Sequence, residues 1–217
     1  MDKKGFFITF EGIEGCGKST QVTLLAEAIS PFRKVLVTRE PGGPPISEAI
    51  RTILLNKRFS EMNRVTEVFL YMASRAQHTI QWILPNLEKG NIVICDRYYD
   101  STFAYQGAAR DISAEKIRTI NNVATTGLKP DVTYIIDVPV EIGLERLHNG
   151  TRAEDIDRLE SEDIEFHRLV RKGYLHIAKE EPKRVVVIDG KKSIKEIHED
   201  IMKDLKERFN LISGEQE

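Results

Sequence analysis

Five short runs along the chain are almost continuously apolar: FFITF (6–10), KVLVT (34–38), NIVICD (91–96), DVTYIIDV (131–138) and RVVVID (184–189). Runs of this length without polar alternation are expected of strands covered on both faces, as in a parallel sheet. Between them the apolar positions fall at helical spacing. STQVTLLAEAIS (19–30) carries Val22, Leu25 and Ile29 on one stripe and stops before Pro31. ISEAIRTILL (46–55) and NRVTEVFLYMASRAQHTIQWILPNLEKG (63–90) predict two more helices, the second bent or broken near Pro85 and closed at Gly90. SAEKIRTINNVATTG (113–127) predicts a helix that begins at Ser113, with Lys116 giving it no capping box, and stops near Gly127. Another helix opens at EIGLERLHNG (141–150), and IKEIHEDIMKDLKERF (194–209) is the last. Strand–helix alternation predicts an α/β fold: a three-layer sandwich with helices on both faces of a parallel sheet.

One segment breaks the rhythm. LHNGTRAEDIDRLESEDIEFHRLVRK (147–172) is charged and poor in apolar residues until Phe166, the pattern of a mobile surface segment. A length of 217 residues suits one domain, 1–217, with a small inserted lid at about 148–160. Hydrophobic residues make up 41% and charged residues 30%, enough apolar material for a real core. The formal net charge of −2 gives no electrostatic footprint for nucleic acid. Cys16 and Cys95 have neither metal-ligand nor disulfide-framework spacing, which points to reduced thiols and a cytoplasmic setting. The apolar run in MDKKGFF is too short for a signal peptide, and no stretch is long enough to span a bilayer, so no membrane partner is expected.

The chemistry is concentrated in FEGIEGCGKSTQ (10–21), between the first strand and the first helix. Gly12, Gly17, Lys18 and Ser19 match the phosphate-binding pattern GxxxxGKS/T in its proper context. Glycines let backbone N–H groups curl around phosphate oxygens, and the helix N-terminus adds its positive dipole end. Gly12, Ile13, Glu14, Gly15, Cys16, Gly17, Lys18, Ser19 and Thr20 are therefore the expected ATP-binding run. Lys18 supplies a point charge between the terminal phosphates, and the Ser19 hydroxyl is a ligand for Mg²⁺. Three further stretches narrow the picture. Asp96, at a strand's carboxyl end, suits an outer-sphere magnesium contact, and Arg97 beside it suits a bidentate phosphate clamp; taken alone, the two are equally a surface ion pair. TREPGG (38–43) ends the second strand, where open parallel sheets bind ligands, or is a plain Pro-Gly turn. Tyr71 and Arg75 share a helix face, a ring for stacking and a fork for hydrogen bonding; in isolation they read as a core tyrosine and a solvated arginine.

In order along nearly the whole chain, FEGIEGCGKSTQ, TREPGG, YMASRAQH, DRYYDSTFAYQG, LKPDVTYIIDV and TRAEDIDRLE resemble the thymidylate kinases, a family of nucleoside monophosphate kinases with the P-loop NTPase fold. The glycine loop is shared far more widely, whereas TREPGG and DRYYDSTFAYQG are particular. The resemblance implies a parallel sheet of order 2-3-1-4-5, a helical lid, a homodimer, and transfer of phosphoryl from ATP to dTMP to give ADP and dTDP, a step of dTTP biosynthesis. It also implies roles. Tyr71 would stack on thymine, Arg75 would bond its edge, and Thr102 and Gln106 would complete the base site. Tyr105 would lie under the deoxyribose, where a 2′-hydroxyl would clash. Pro41, after a cis bond, would line the pocket near the 5-methyl group. Arg97 would bind the phosphate of dTMP, Glu14 would approach the sugar 3′-hydroxyl, and Asp96, with Glu11, would hold Mg²⁺ through water. Arg146 and the DGKK turn (189–192) are candidates for the adenine site. The long helices 61–89 and 113–125 would form the dimer face.

The loop interior, Ile13-Glu14-Gly15-Cys16, lacks the basic residue that some family members place there. Such members look to the lid, so Arg152 is the first candidate for a catalytic arginine and Arg158 the second; the alternative is that both are solvated charges beside Glu154, Asp155 and Asp157. Cys16, where a small residue is usual, is either a buried filler or a thiol activated by the helix N-terminus. The second proline of GGPP replaces a threonine-like position. No general base is called for, because a phosphate oxygen is already anionic; catalysis is positioning plus cation stabilisation. The rival readings are a deoxynucleoside kinase, another monophosphate kinase, and a nucleotide-dependent switch. The last would carry Asn-Lys-x-Asp after a strand, and NKRF (56–59) lacks the aspartate.

Overall fold

The computed structural model describes residues 5–149 and 156–209. Strands β1 (Phe6–Glu11), β2 (Val35–Arg39), β3 (Ile92–Asp96), β4 (Val132–Asp137) and β5 (Val185–Asp189) form one sheet in the order β2-β3-β1-β4-β5. Every pairing is parallel. The continuous apolar runs explain this: Phe7, Ile8 and Phe10 of β1 and Ile92 to Ile94 of β3 are fully buried, so both faces of the central strands need cover. Only the edge strands relax, with Val37 48% and Val187 43% exposed. Register brings Phe10 opposite Asp96, Arg39 opposite Asp96 and Glu11 opposite Ile135. Glu11, Arg39 and Asp96 therefore meet at one carboxyl edge, where such sheets hold ligands.

The helices in chain order are α1 (Lys18–Ile29), α2 (Pro45–Leu55), α3 (Arg64–His78), α4 (Leu84–Glu88), α5 (Tyr99–Thr102), α6 (Ala114–Ala124), α7 (Val140–Asn149), α8 (Ile164–Glu180) and α9 (Ile194–Phe209). Near Pro85, where a bend or break is expected, the helical hydrogen-bond pattern changes: a π-helical stretch, Thr79–Ile83, separates α3 from α4 and accommodates the N–H that proline lacks. Pro45 opens α2, so the second proline of GGPP sits where its missing N–H costs nothing. The Ser113 hydroxyl makes no cap hydrogen bond to α6.

One expectation needs correction. Residues 164–172 are not a mobile surface segment. They are the first half of α8, capped by Asp163, whose carboxylate accepts from Phe166 N at 2.8 Å, with Phe166, His167, Val170, Gly173, Tyr174 and Ile177 buried. Charges on the outer face masked that stripe. DSTFAYQG, for which the sequence pattern predicts no element, is helical through α5 and a second π-helical stretch, Phe103–Ala109. Helix α8 crosses this stretch closely, because a Cβ on Gly173 would stand 2.9 Å from Ala104 Cα.

A second close approach fixes the phosphate loop. A Cβ on Gly15 would lie 2.0 Å from Gly143 O, and a Cβ on Gly143 would lie 2.6 Å from Glu14 O. The loop thus rests backbone to backbone on α7. Gly143→Ala should push it away, lower stability by about 1–3 kcal/mol and raise KM for ATP. Thermal melts and ATP titrations check this; an unchanged KM would mean that α7 does not seat the loop.

Candidate active site

The loop between β1 and α1 turns on Gly12, Gly15 and Gly17, with φ of 137°, 67° and 99°. Gly17 precedes α1 with no side-chain cap, so the first N–H groups of the helix point into the loop. Lys18 Nζ donates to Ile13 O at 2.9 Å and Gly12 O at 3.2 Å, and lies 3.6 Å from Cys16 Sγ. Ile13 and Cys16 are buried, which fits the filler reading of Cys16. Ser19 Oγ donates to Asp96 Oδ2 at 2.6 Å, joining the first turn of α1 to the end of β3.

Arg97 is the junction. It follows β3 in the left-handed region at φ 69°, strain that a non-glycine residue sustains only where its surroundings demand it. Its backbone N–H bonds Phe10 O at 2.9 Å. Its Nη1 donates to Gly12 O at 2.9 Å and to the Tyr174 hydroxyl at 2.8 Å, its Nη2 to Glu14 Oε1 at 3.0 Å, and its guanidinium lies over the Tyr105 ring. The Tyr105 hydroxyl donates to the same Glu14 oxygen. Burial works against a charge on Glu14, but the Arg97 guanidinium, His167 and Lys18 together outweigh it and hold the carboxyl well below the usual carboxylate range.

Arg75 is neither solvated nor free to turn. Its Nε donates to Glu40 at 2.7 Å, its Nη1 to Thr102 and Asn121 at 2.7 Å each, and its Nη2 to Tyr98 O at 3.1 Å. Among the described residues that leaves one of the five guanidinium N–H groups for a ligand. Glu40 also accepts from His78 Nδ1 at 2.9 Å, so the loop after β2 grips α3 twice. The Glu40–Pro41 bond is cis, and Pro41 O accepts from Arg51 Nη1 at 2.8 Å. Gln106 Nε2 donates to Glu67 at 2.8 Å. Arg146 Nη1 donates to Gly190 O at 3.2 Å, which brings the two adenine-site candidates together.

One cleft of about 390 Å³ collects Glu14, Gly15, Gly17, Lys18, Ser19, Thr20, Pro41, Tyr71, Arg75, Asp96, Arg97, Thr102, Tyr105, Gln106 and Arg146. Gly12, Ile13 and Cys16 are buried members of the loop that do not line the cleft. Arg152 lies outside the described residues. Arg158 needs correction: it is not a solvated charge, and it does not line the cleft. It is only 6% exposed and donates to Leu54 O at 2.9 Å and to buried Glu67 at 2.5 Å. Glu11, expected beside Mg²⁺, is fully buried and accepts from Tyr98 N, Ser101 Oγ and Tyr174 Oη at 2.7–2.8 Å. Two arginines passed over in the sequence, Arg39 and Arg51, also line the cleft. Arg51 had a signal: it lies on α2 between the buried positions Ser47 and Leu54, at helical spacing from both.

A parallel sheet carrying this loop between β1 and α1, with a cation-rich cleft at its carboxyl edge, defines a P-loop phosphotransferase. Known proteins narrow the class. The family model described as thymidylate kinase matches residues 10–201. Thymidylate kinase of Sulfurihydrogenibium sp. (strain YO3AOP1) is 50% identical over 205 residues, covering 94% of this chain and 98% of its own. That of Pelobacter propionicus is 48% identical over 214 residues, covering 95% and 96%. The crystal structure of thymidylate kinase from Ehrlichia chaffeensis matches with a TM-score of 0.77 at 36% identity, over 94% of this chain and 99% of that one. The chain belongs to the thymidylate kinase family.

Burial first, then the Asp100 carboxylate, push the Glu11 carboxyl up to about 7, against Arg97 and the bonds from Ser101 and Tyr98. The folded protein therefore holds this proton more tightly than the unfolded chain. The resulting stability is fully present below the ordinary value of 4.5 and is lost as pH rises through about 7. Glu11→Gln, neutral throughout, should gain in melting temperature relative to the unsubstituted protein between pH 5 and pH 8. A constant difference across that range would show that Glu11 does not titrate there.

Proposed function

We propose that the protein transfers the γ-phosphoryl group of ATP to dTMP, giving ADP and dTDP. The observation that carries this is the tie through Arg97, which bonds the phosphate loop at Gly12 and Glu14 and also spans to Tyr105 and Tyr174. A donor phosphate on the loop and a phosphate of dTMP beside Tyr71, Arg75, Thr102 and Tyr105 would meet at that one cation. Lys18 and Arg97 stabilise the charge that spreads over the phosphoryl group in transfer. Tyr71 stacks on thymine, Arg75 and Gln106 read its edge beside Thr102, Pro41 closes the 5-methyl side, and Tyr105 excludes a 2′-hydroxyl. Arg146 and the turn at Gly190 take the adenine.

The Ser19–Asp96 pair fits Mg²⁺, which takes few protein ligands and completes its octahedron with phosphate oxygens and water. When bound, the ion would neutralise charge on the donor phosphates and orient them. A lid over about 148–160, within one domain, would exclude competing water and supply Arg152. A homodimer is supported by apolar side chains standing exposed on neighbouring helices: Ile46 and Ile53 on α2, Val65 and Phe69 on α3 and Val123 on α6, the last 74% exposed. A cytoplasmic setting is supported by two buried free thiols. No helix among the described residues is long and apolar enough to cross a membrane.

Lys18→Ala and Arg97→Ala should each lower kcat by about 10²- to 10³-fold while cooperative thermal unfolding is retained. Near-normal turnover of either folded variant would refute its assignment.

A further inference from the structure

Three buried polar atoms stand side by side without a hydrogen bond among the described residues: Glu14 Oε2 and both ring nitrogens of His167. Such groups are rare, and each calls for an explanation. His167 is fully buried on α8, with Nδ1 3.2 Å from Glu14 Oε2. That is close enough for an ion pair but off the line of a full hydrogen bond. The ring stands edge-on to Phe166, whose own ring packs against Tyr105. Glu14 is thus held from two sides. Tyr105 and Arg97 take Oε1 on the side of the cleft, and His167 faces Oε2 on the side of the core. Arg97, Lys18 and Tyr105 are the other charged or titratable groups acting on Glu14, and all three line the cleft while His167 does not.

We propose that His167 is a positioning residue. It presents an N–H to Oε2 and so fixes the rotation of the Glu14 carboxylate, keeping Oε1 turned to the sugar of the phosphoryl acceptor. The proposal rests on the reading of Glu14 as the group that meets the 3′-hydroxyl. A carboxylate gripped from one side only would rotate away from that hydroxyl. The role is one of selection: it governs how well an acceptor with a 3′-hydroxyl is held, not how fast phosphoryl moves once it is bound.

The test compares dTMP with 3′-deoxythymidine monophosphate as acceptors for the full-length protein and its His167→Leu, His167→Asn and Glu14→Gln variants. His167→Leu should raise KM for dTMP by about tenfold, change kcat by less than about twofold, and leave KM for the 3′-deoxy acceptor as it was. His167→Asn should recover most of the preference, since its amide N–H stands near the place of Nδ1. In the Glu14→Gln background, His167→Leu should add nothing. If His167→Leu does not fold, His167→Gln, whose amide reaches past Nδ1, carries the same expectation. Equal rises in KM for both acceptors, with Glu14→Gln losing the preference, would make His167 a packing residue and overturn the proposal alone. If Glu14→Gln keeps the preference, the sugar-facing reading of Glu14 fails and the proposal falls with it.

Discussion

The site depends on one partly buried cation. Arg97 sits at the end of β3 in a backbone conformation that costs about 1–3 kcal/mol, and its guanidinium reaches the phosphate loop, α8 and the ring of Tyr105. Without it Glu14 would be a carboxylate in a dry interior, and the desolvation that already opposes its charge would win. Without Glu14, Arg97 would lose the bond that aims it along the cleft. Each makes the other tolerable, and together they set the distance between the loop and the wall that carries Tyr71 and Tyr105.

The same device recurs elsewhere in the interior. Glu40 holds Arg75 from behind, and Glu67 holds Gln106 on one oxygen and Arg158 on the other. Asp100, whose charge acts on Glu11, takes Arg184 in a bidentate pair. These carboxylates are at most 4% exposed. Buried ion pairs contribute little net stability, but removing one partner is costly, so they enforce geometry rather than add strength. A site that must align two phosphates and a planar base gains more from enforced geometry than from additional apolar packing.

Much of this was legible in the chain. The five apolar runs became the five strands, and the glycine loop sits where its spacing required. Strand order followed from the family resemblance, since periodicity does not fix the order of strands. What stayed hidden had physical causes. Helix α8 was masked because Arg168, Arg171 and Lys172 dominate the reading while Phe166, Val170, Tyr174 and Ile177 form the buried stripe. Arg158 lies in a turn among acidic neighbours, yet its partner Glu67 is distant in sequence, on α3. The π-helical stretches arise from packing against α8 and from Pro85, which local propensity does not encode. The magnesium role of Glu11, at the end of β1, came from the family resemblance alone, and only the fold shows its three hydrogen-bond donors.

The central claim is that this cleft brings ATP and dTMP together. It is tested most directly by a coupled ADP-release assay with ATP·Mg²⁺ against dTMP, dUMP, UMP, CMP, AMP and thymidine. The account predicts strong turnover with dTMP, at most weaker turnover with dUMP, and none with the ribonucleotides or thymidine. Turnover with thymidine but not dTMP, or slow hydrolysis indifferent to every acceptor, would contradict it.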